Sequence, residues 1–225
     1  MLSPEEQAEF LRSMENVRQT ALHHLNSNRT RPFIISFISN LHRGVDSVVR
    51  AAADEGEQPD CKSGCSHCCH VRVEALEPEI FLIARELKKL SPEKLGELTG
   101  RLRNHAATIN GVSVFDHHIA CPFLEDDLCS IYQIRPAVCR KTHSFDVEKC
   151  KPPSYEIPQS LEIALKSEAL MKGTADAYRR IKLSASGHEL GQAVFHALTD
   201  ETAESRWAAG EEIFDQFSAN TGVER

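Results

Sequence analysis

All eight cysteines of this 225-residue chain lie between Cys61 and Cys150, and the flanks have none. Four of them fall in the ten-residue stretch CKSGCSHCCH, residues 61–70, together with two histidines. Cys121, Cys129, Cys139 and Cys150 follow at longer intervals. Thiols this dense must be bridged, hold a metal or do redox chemistry, and the compartment decides which. MLSPEEQAEF at the start has neither the basic residues nor the apolar run of a secretory signal. No apolar run approaches the length of a membrane span. The expectation is a cytoplasmic protein without a membrane span. In a reducing compartment structural disulfides are uncommon, and clustered cysteines point to metal or redox chemistry. The formal net charge of -7 argues against general nucleic-acid binding, which needs an excess of Lys and Arg.

The flanks read as helices. Ser3, Pro4 and Glu6 make a capping-box start for a helix over 3–28, with Phe10, Met14, Val17, Ala21 and Leu25 at helical spacing. A second helix is predicted over 33–54, ended by Gly56 and Pro59. Glu77-Pro78-Glu79 opens a third. Ser91-Pro92-Glu93 opens a fourth, running to about Thr108, before the Asn110-Gly111 turn signal. Three more helices are predicted near 159–183, 188–199 and 202–218. Residues 111–158 carry prolines, short apolar runs and four cysteines. They predict irregular backbone, a hairpin within 121–132 and a helical turn near 136–141.

The fold class expected is therefore mainly α: a helical bundle around an irregular cysteine-rich metal-binding core with a small β-hairpin. The chain reads as one domain over 1–225. It has N-terminal helices in 1–59, the cysteine-cluster core in 60–150 and C-terminal helices in 151–225. Trp207, Phe214 and Phe217 fit a core better than an interface.

Closely spaced cysteines suit a metal because a tight turn aims thiolates at one point, and a second segment can close the coordination sphere. Here the second set would come from 121–150, so the metal would tie two distant segments together. The candidate ligands are Cys61, Cys65, Cys68, Cys69, Cys121, Cys129, Cys139 and Cys150. Adjacent side chains diverge, so the Cys68-Cys69 pair suits two metals, or one ligand and one core or redox thiol. Zinc and iron–sulfur both accept four cysteines, and spacing does not separate them. Haem attachment needs Cys-x-x-Cys-His, and Cys69 stands where that histidine should be. Cys61, Cys65 and Cys68 have the spacing of radical S-adenosylmethionine enzymes, but no strand–helix alternation supports a barrel. Disulfide and catalytic-thiol readings stay open beside the metal one.

His67, His70, His117, His118 and His143 could replace a cysteine on zinc or iron. Glu74, Glu77 and Glu79 could assist an iron site, or could simply sit at a helix start. Lys62, Arg72, Arg135, Arg140 and Lys141 could offset thiolate charge, or be surface and ion-pair residues. Phe123, Leu124, Ile131 and Tyr132 could wall a site from water, and Pro122 and Pro136 would stiffen its loops.

The two segments together resemble a known family. Cys-Pro-Phe-Leu at 121–124, Cys-Ser-Ile-Tyr at 129–132, Arg135-Pro136 and Cys139-Arg140 occur in order after CKSGCSHCC. This pattern is similar to the YkgJ-type cysteine-cluster family, also called the zinc- or iron-chelating CxxCxxCC domain. The resemblance covers about residues 60–150. The first gap holds three residues where the family's name has two. The resemblance implies a zinc or iron cofactor, with a 4Fe-4S cluster among the iron options. Methyl transfer to protein lysines, as in the flagellin lysine methylase branch, is the alternative function it implies. No Gly-rich adenosylmethionine loop after a strand supports that alternative here, and no reaction is assigned.

Overall fold

Pro4 opens helix α1 (Pro4–Ser27) in a computed structural model that describes residues 2–56, 58–113, 118–152 and 156–214. The elements then run α2 (Arg31–Phe37), α3 (Ser39–Asp54), β1 (Glu74–Leu76), α4 (Glu77–Leu87), α5 (Pro92–Ile109), β2 (Leu124–Glu125) and β3 (Leu128–Cys129). After these come α6 (Ala137–Lys141), α7 (Leu161–Arg180), β4 (Gly187–Glu189), α8 (Leu190–Thr199) and α9 (Ala203–Ala208). The architecture is mainly α, as the sequence predicts. Two compact units form, each from two stretches of chain. The first is Met1–Cys61 with Pro136–Ala185, and the second is Lys62–Arg135 with Ser186–Arg225.

In the first unit α7 packs on α1, α3 and α6, and α3 also packs on α6. The predicted capping box is present. The Glu6 N–H donates to Ser3 Oγ at 3.2 Å, and the Ser3 N–H donates to Glu6 Oε2 at 2.7 Å. Leu25, Ile35, Ile38, Val45, Ile163 and Tyr178 are fully buried. The helix predicted over 33–54 is broken at Ile38, and the cause is distant in sequence. The Tyr178 hydroxyl donates to the Ile34 carbonyl at 2.6 Å. The Ile38 N–H, which would pair with Ile34 in a regular helix, donates to Ile35 O instead.

In the second unit α8 packs on α4 and α5. Phe81, Trp207 and Phe214 form an aromatic cluster, with the Phe81 centroid 5.2 Å from Trp207 and 5.8 Å from Phe214. Both Trp207 and Phe214 are core residues, while Phe217 lies outside the described residues. The hairpin predicted within 121–132 is β2–β3, pairing Leu124 with Cys129 and Glu125 with Leu128. Its two-residue loop holds Asp126 at φ 48° and Asp127 at φ 59°, the left-handed pair that matches hairpin twist.

Two predicted helices are shorter than their patterns. Residues 187–189 form β4, antiparallel to β1, with Ala75 opposite His188. Helix α8 therefore starts at Leu190, where the Glu189 carboxylate accepts the Gln192 N–H at 2.7 Å. The helix predicted over 202–218 ends at Ala208, because Gly210 takes φ 92° and its N–H closes on Trp207 O at 2.8 Å. Residues from 215 onward lie outside the described residues.

Helix α7 approaches α1 closely at Gly173. A Cβ there would lie 2.5 Å from the Met14 carbonyl oxygen and 2.8 Å from Val17 Cβ. Gly→Ala in an open helix is worth about 1 kcal/mol of stability. Overpacking costs about 1–3 kcal/mol, and a backbone oxygen on α1 has little room to yield. Gly173→Ala is expected to lower stability by about 1 kcal/mol net. Urea denaturation followed by circular dichroism checks the sign, and a stabilised variant would refute the close approach.

Candidate metal centre

The cysteine loop folds around two tight turns. Gly64, at φ 86°, lets the Cys65 N–H return to Lys62 O at 2.9 Å. His67–His70 is a single 3-10 turn, entered by the Cys69 N–H donating to Ser66 O at 2.9 Å. Cys65, Cys68 and Cys69 are half-buried there. The second cysteine segment meets this turn directly, since the Cys121 N–H donates to Cys69 O at 2.7 Å. Another bond lies beside it, the Ser66 hydroxyl donating to Asp127 Oδ1 at 2.6 Å. Asp127 thus serves both as a left-handed turn residue and as the tie from the hairpin tip to the cysteine loop.

The thiols in this neighbourhood influence one another. The Cys68 thiol is pushed well above the ordinary range, first by its hydrogen bond to the Cys69 side chain and then by burial. Cys121 is pushed up to about 12, chiefly by burial, with the negative charges of Cys129, Glu189 and Cys68 adding to it. Burial also raises Cys129. Opposing effects favour the thiolates. The backbone N–H groups of Phe123 and Ile131 bond the sulfurs of Cys121 and Cys129, and Arg135 acts on both Cys68 and Cys129. Backbone N–H bonds of this kind stabilise charge on sulfur.

Five of the predicted cysteines, Cys65, Cys68, Cys69, Cys121 and Cys129, belong to the second unit. Cys61, Cys139 and Cys150 belong to the first. The Ser144 N–H donates to the Cys61 sulfur at 3.2 Å, beside a backbone bond from Asp60 N–H to Ser144 O at 2.8 Å. Cys139 is half-buried on α6. The buried Cys150 thiol donates to Asp146 O at 3.7 Å. No two of the eight cysteines are joined in a disulfide. Among the described residues no three Cys, His, Asp or Glu side chains are arranged to close on one ion.

The histidines divide. The His70 Nδ1–H donates to Ser66 O at 3.1 Å, which pins the cysteine turn. His143 has both ring nitrogens engaged. Its Nδ1–H donates to Lys141 O at 2.7 Å, and its Nε2 accepts the Ser160 N–H at 3.0 Å. It is a buried clamp in the first unit rather than an open donor. His67 is half-buried, His118 is exposed, and His117 lies outside the described residues.

The acids and bases singled out in the sequence have structural partners. Glu77 Oε1 lies 2.9 Å from His188 Nε2, with both side chains buried. The Glu79 carboxylate accepts the Leu76 N–H at 2.9 Å, at the start of α4. Glu74 pairs with Arg72. Arg140 forms an ion pair with Asp46 at 2.6 Å, and Lys141 pairs with Glu168. Arg135 donates to Tyr132 O at 2.8 Å and stacks 3.7 Å above the Tyr132 ring. Phe123 and Ile131 are buried beside the cysteines, whereas Tyr132 is 56% exposed and does not wall the site.

A second buried pair adjoins the thiols. His105 Nε2 lies 3.0 Å from Glu189 Oε1, with side-chain exposures of 5% and 4%. Burial opposes ionisation of Glu189, yet the His105 hydrogen bond and charge and the N–H groups of Gln192 and Gly191 outweigh it. The carboxyl is held below its usual range. The only sequence signal for this pair was a histidine in the apolar stripe Leu98, Leu102, His105, Ile109 of α5.

These features define a helical protein in which two cysteine-bearing segments meet through a backbone hydrogen bond. Residues 60–160 match the family model CxxCxxCC, described as "Putative zinc- or iron-chelating domain". No curated protein and no solved structure gives a match. Among the described residues no helix is long and apolar enough to cross a membrane.

His143→Ala removes one partner each from Lys141 O and the buried Ser160 N–H. A loss of about 2 kcal/mol in stability is expected, with metal content unchanged. Reduced metal per folded chain would instead make His143 a ligand.

Proposed function

We propose that residues 60–150 bind zinc or iron through cysteine thiolates supplied by both segments. The eight cysteines are the donor pool. Cys68, Cys69, Cys121 and Cys129 carry the reading best, with Cys65 beside them. The observation behind it is the Cys121 N–H bond to Cys69 O at 2.7 Å, which joins the two segments at their thiols.

The donor chemistry fits such a metal. Thiolates are the preferred soft ligands for zinc and for iron–sulfur clusters. Here several are desolvated, repel one another and receive backbone N–H bonds. A bound cation would relieve that repulsion, and the side chains must rotate to close around it. Bound zinc or iron would supply cross-linking of the two segments and positive charge at the sulfurs. Arg135 holds the Tyr132 carbonyl and offsets sulfur charge, while Phe123 and Ile131 exclude water. Thiols kept free in this way suit a reducing, cytoplasmic location.

The test is anaerobic purification of the full chain, followed by metal and sulfide analysis and a visible spectrum. Zinc without colour, or iron with sulfide and visible absorption, is expected. Cys121→Ser should weaken binding by more than the about 10–100-fold typical of outer-shell changes. A chain that takes up neither zinc nor iron, or a Cys121→Ser variant with wild-type affinity, would overturn the reading.

A further inference from the structure

We propose that the corner between β4 and α8, residues 187–191, is a third arm of the thiol site, with Glu189 and His105 as positioning residues for Cys121. The inference rests on the preceding reading of Cys121 as a metal ligand. Residues 187–191 lie beyond the stretch 60–160 that matches the family model.

The geometry begins at Gly191, in the first turn of α8. A Cβ there would lie 2.5 Å from His105 Cδ2 and 3.0 Å from Pro122 Cγ. The absence of a side chain thus lets α8, the His105 ring and Pro122 meet at one point. Pro122 follows Cys121 directly and is buried. Cys121 is then fixed from two sides, by its own N–H bond to Cys69 O and by the packed ring of Pro122.

Glu189 orients this assembly. One carboxylate oxygen takes the His105 Nε2–H at 3.0 Å, and the other takes the Gln192 N–H at 2.7 Å. The carboxylate is thereby locked with its ring partner against the Pro122 side of the loop. Glu189 thus positions Cys121 through His105 and Pro122. Outer-shell partners of this kind typically change metal affinity by about 10–100-fold.

The test uses the full chain purified anaerobically, stripped of metal and titrated with zinc against a chelator of known affinity. Cobalt substitution gives a parallel absorption signature of thiolate ligation. Glu189→Gln keeps the side chain's shape and a hydrogen-bonding oxygen. Glu204→Gln, which breaks the α4–α9 ion pair with Arg85, controls for general loss of stability in the same unit. The expected result is zinc binding about 10–100-fold weaker in Glu189→Gln, a shifted thiolate-to-cobalt band, and near wild-type behaviour in Glu204→Gln. Gly191→Ala should weaken zinc in the same direction. Wild-type affinity and an unshifted cobalt band in Glu189→Gln overturn the inference, as does an equal loss in Glu204→Gln. A wild-type chain that takes up neither zinc, cobalt nor iron overturns the thiolate reading itself, and is distinct from either of those results.

Discussion

One backbone hydrogen bond, from the Cys121 N–H to Cys69 O, joins two cysteine segments that are separated by the whole of α4 and α5. Without it the thiols would belong to two independent loops. With it, a half-buried turn and a hairpin base share one neighbourhood, and several thiols press on each other's charge. The surrounding features hold this junction: the Ser66–Asp127 bond, the His70 clamp on Ser66 and the packing of His105 and Pro122 against Gly191. Each restrains a loop whose own hydrogen-bond ladder is short. Irregular backbone of this kind is tolerated because side chains and turns satisfy its polar groups.

Local chemistry was legible in the sequence wherever the cause lay within a few residues. Ser3 and Glu6 announce α1, Ser91 and Pro92 announce α5, and Pro136 announces α6, because capping and φ restriction act over one turn. The hairpin followed from its short apolar runs, although its turn uses Asp126-Asp127 rather than a glycine. What the sequence hid is non-local. The break at Ile38 depends on the bond from Tyr178 to Ile34, 144 residues apart. Strands β1 and β4 are three residues each and carry no periodicity of their own. They exist because they find each other across more than half of the chain.

The candidate site shows the same division. Cysteine spacing singled out the candidate thiols, since thiols are rare enough for their clustering to mean something. It could not say which thiols share a neighbourhood, because that depends on how α4 and α5 return the chain to Cys121. Nor did it separate structural from chemical histidines. His143 looks like a ligand by its position near Cys139, yet its ring is committed to Lys141 and Ser160. His105 looks like an ordinary helix residue, yet it lies buried against Glu189.

The interleaving of the two units has a consequence for synthesis on the ribosome. Each unit is assembled from two stretches of chain that alternate with those of the other. Helices α1 to α3 emerge first but lack α7, whose Tyr178 closes on Ile34 across 144 residues. At ribosomal speeds of about 5–20 residues per second, that interval is roughly 7–30 s. During it the apolar faces of α1 and α3 lack α7, and the cysteine loop emerges before Cys121 can reach it. The nascent chain therefore passes through a long stage with reactive thiols and apolar helices exposed together. Chaperones and a reducing environment would matter most at that stage.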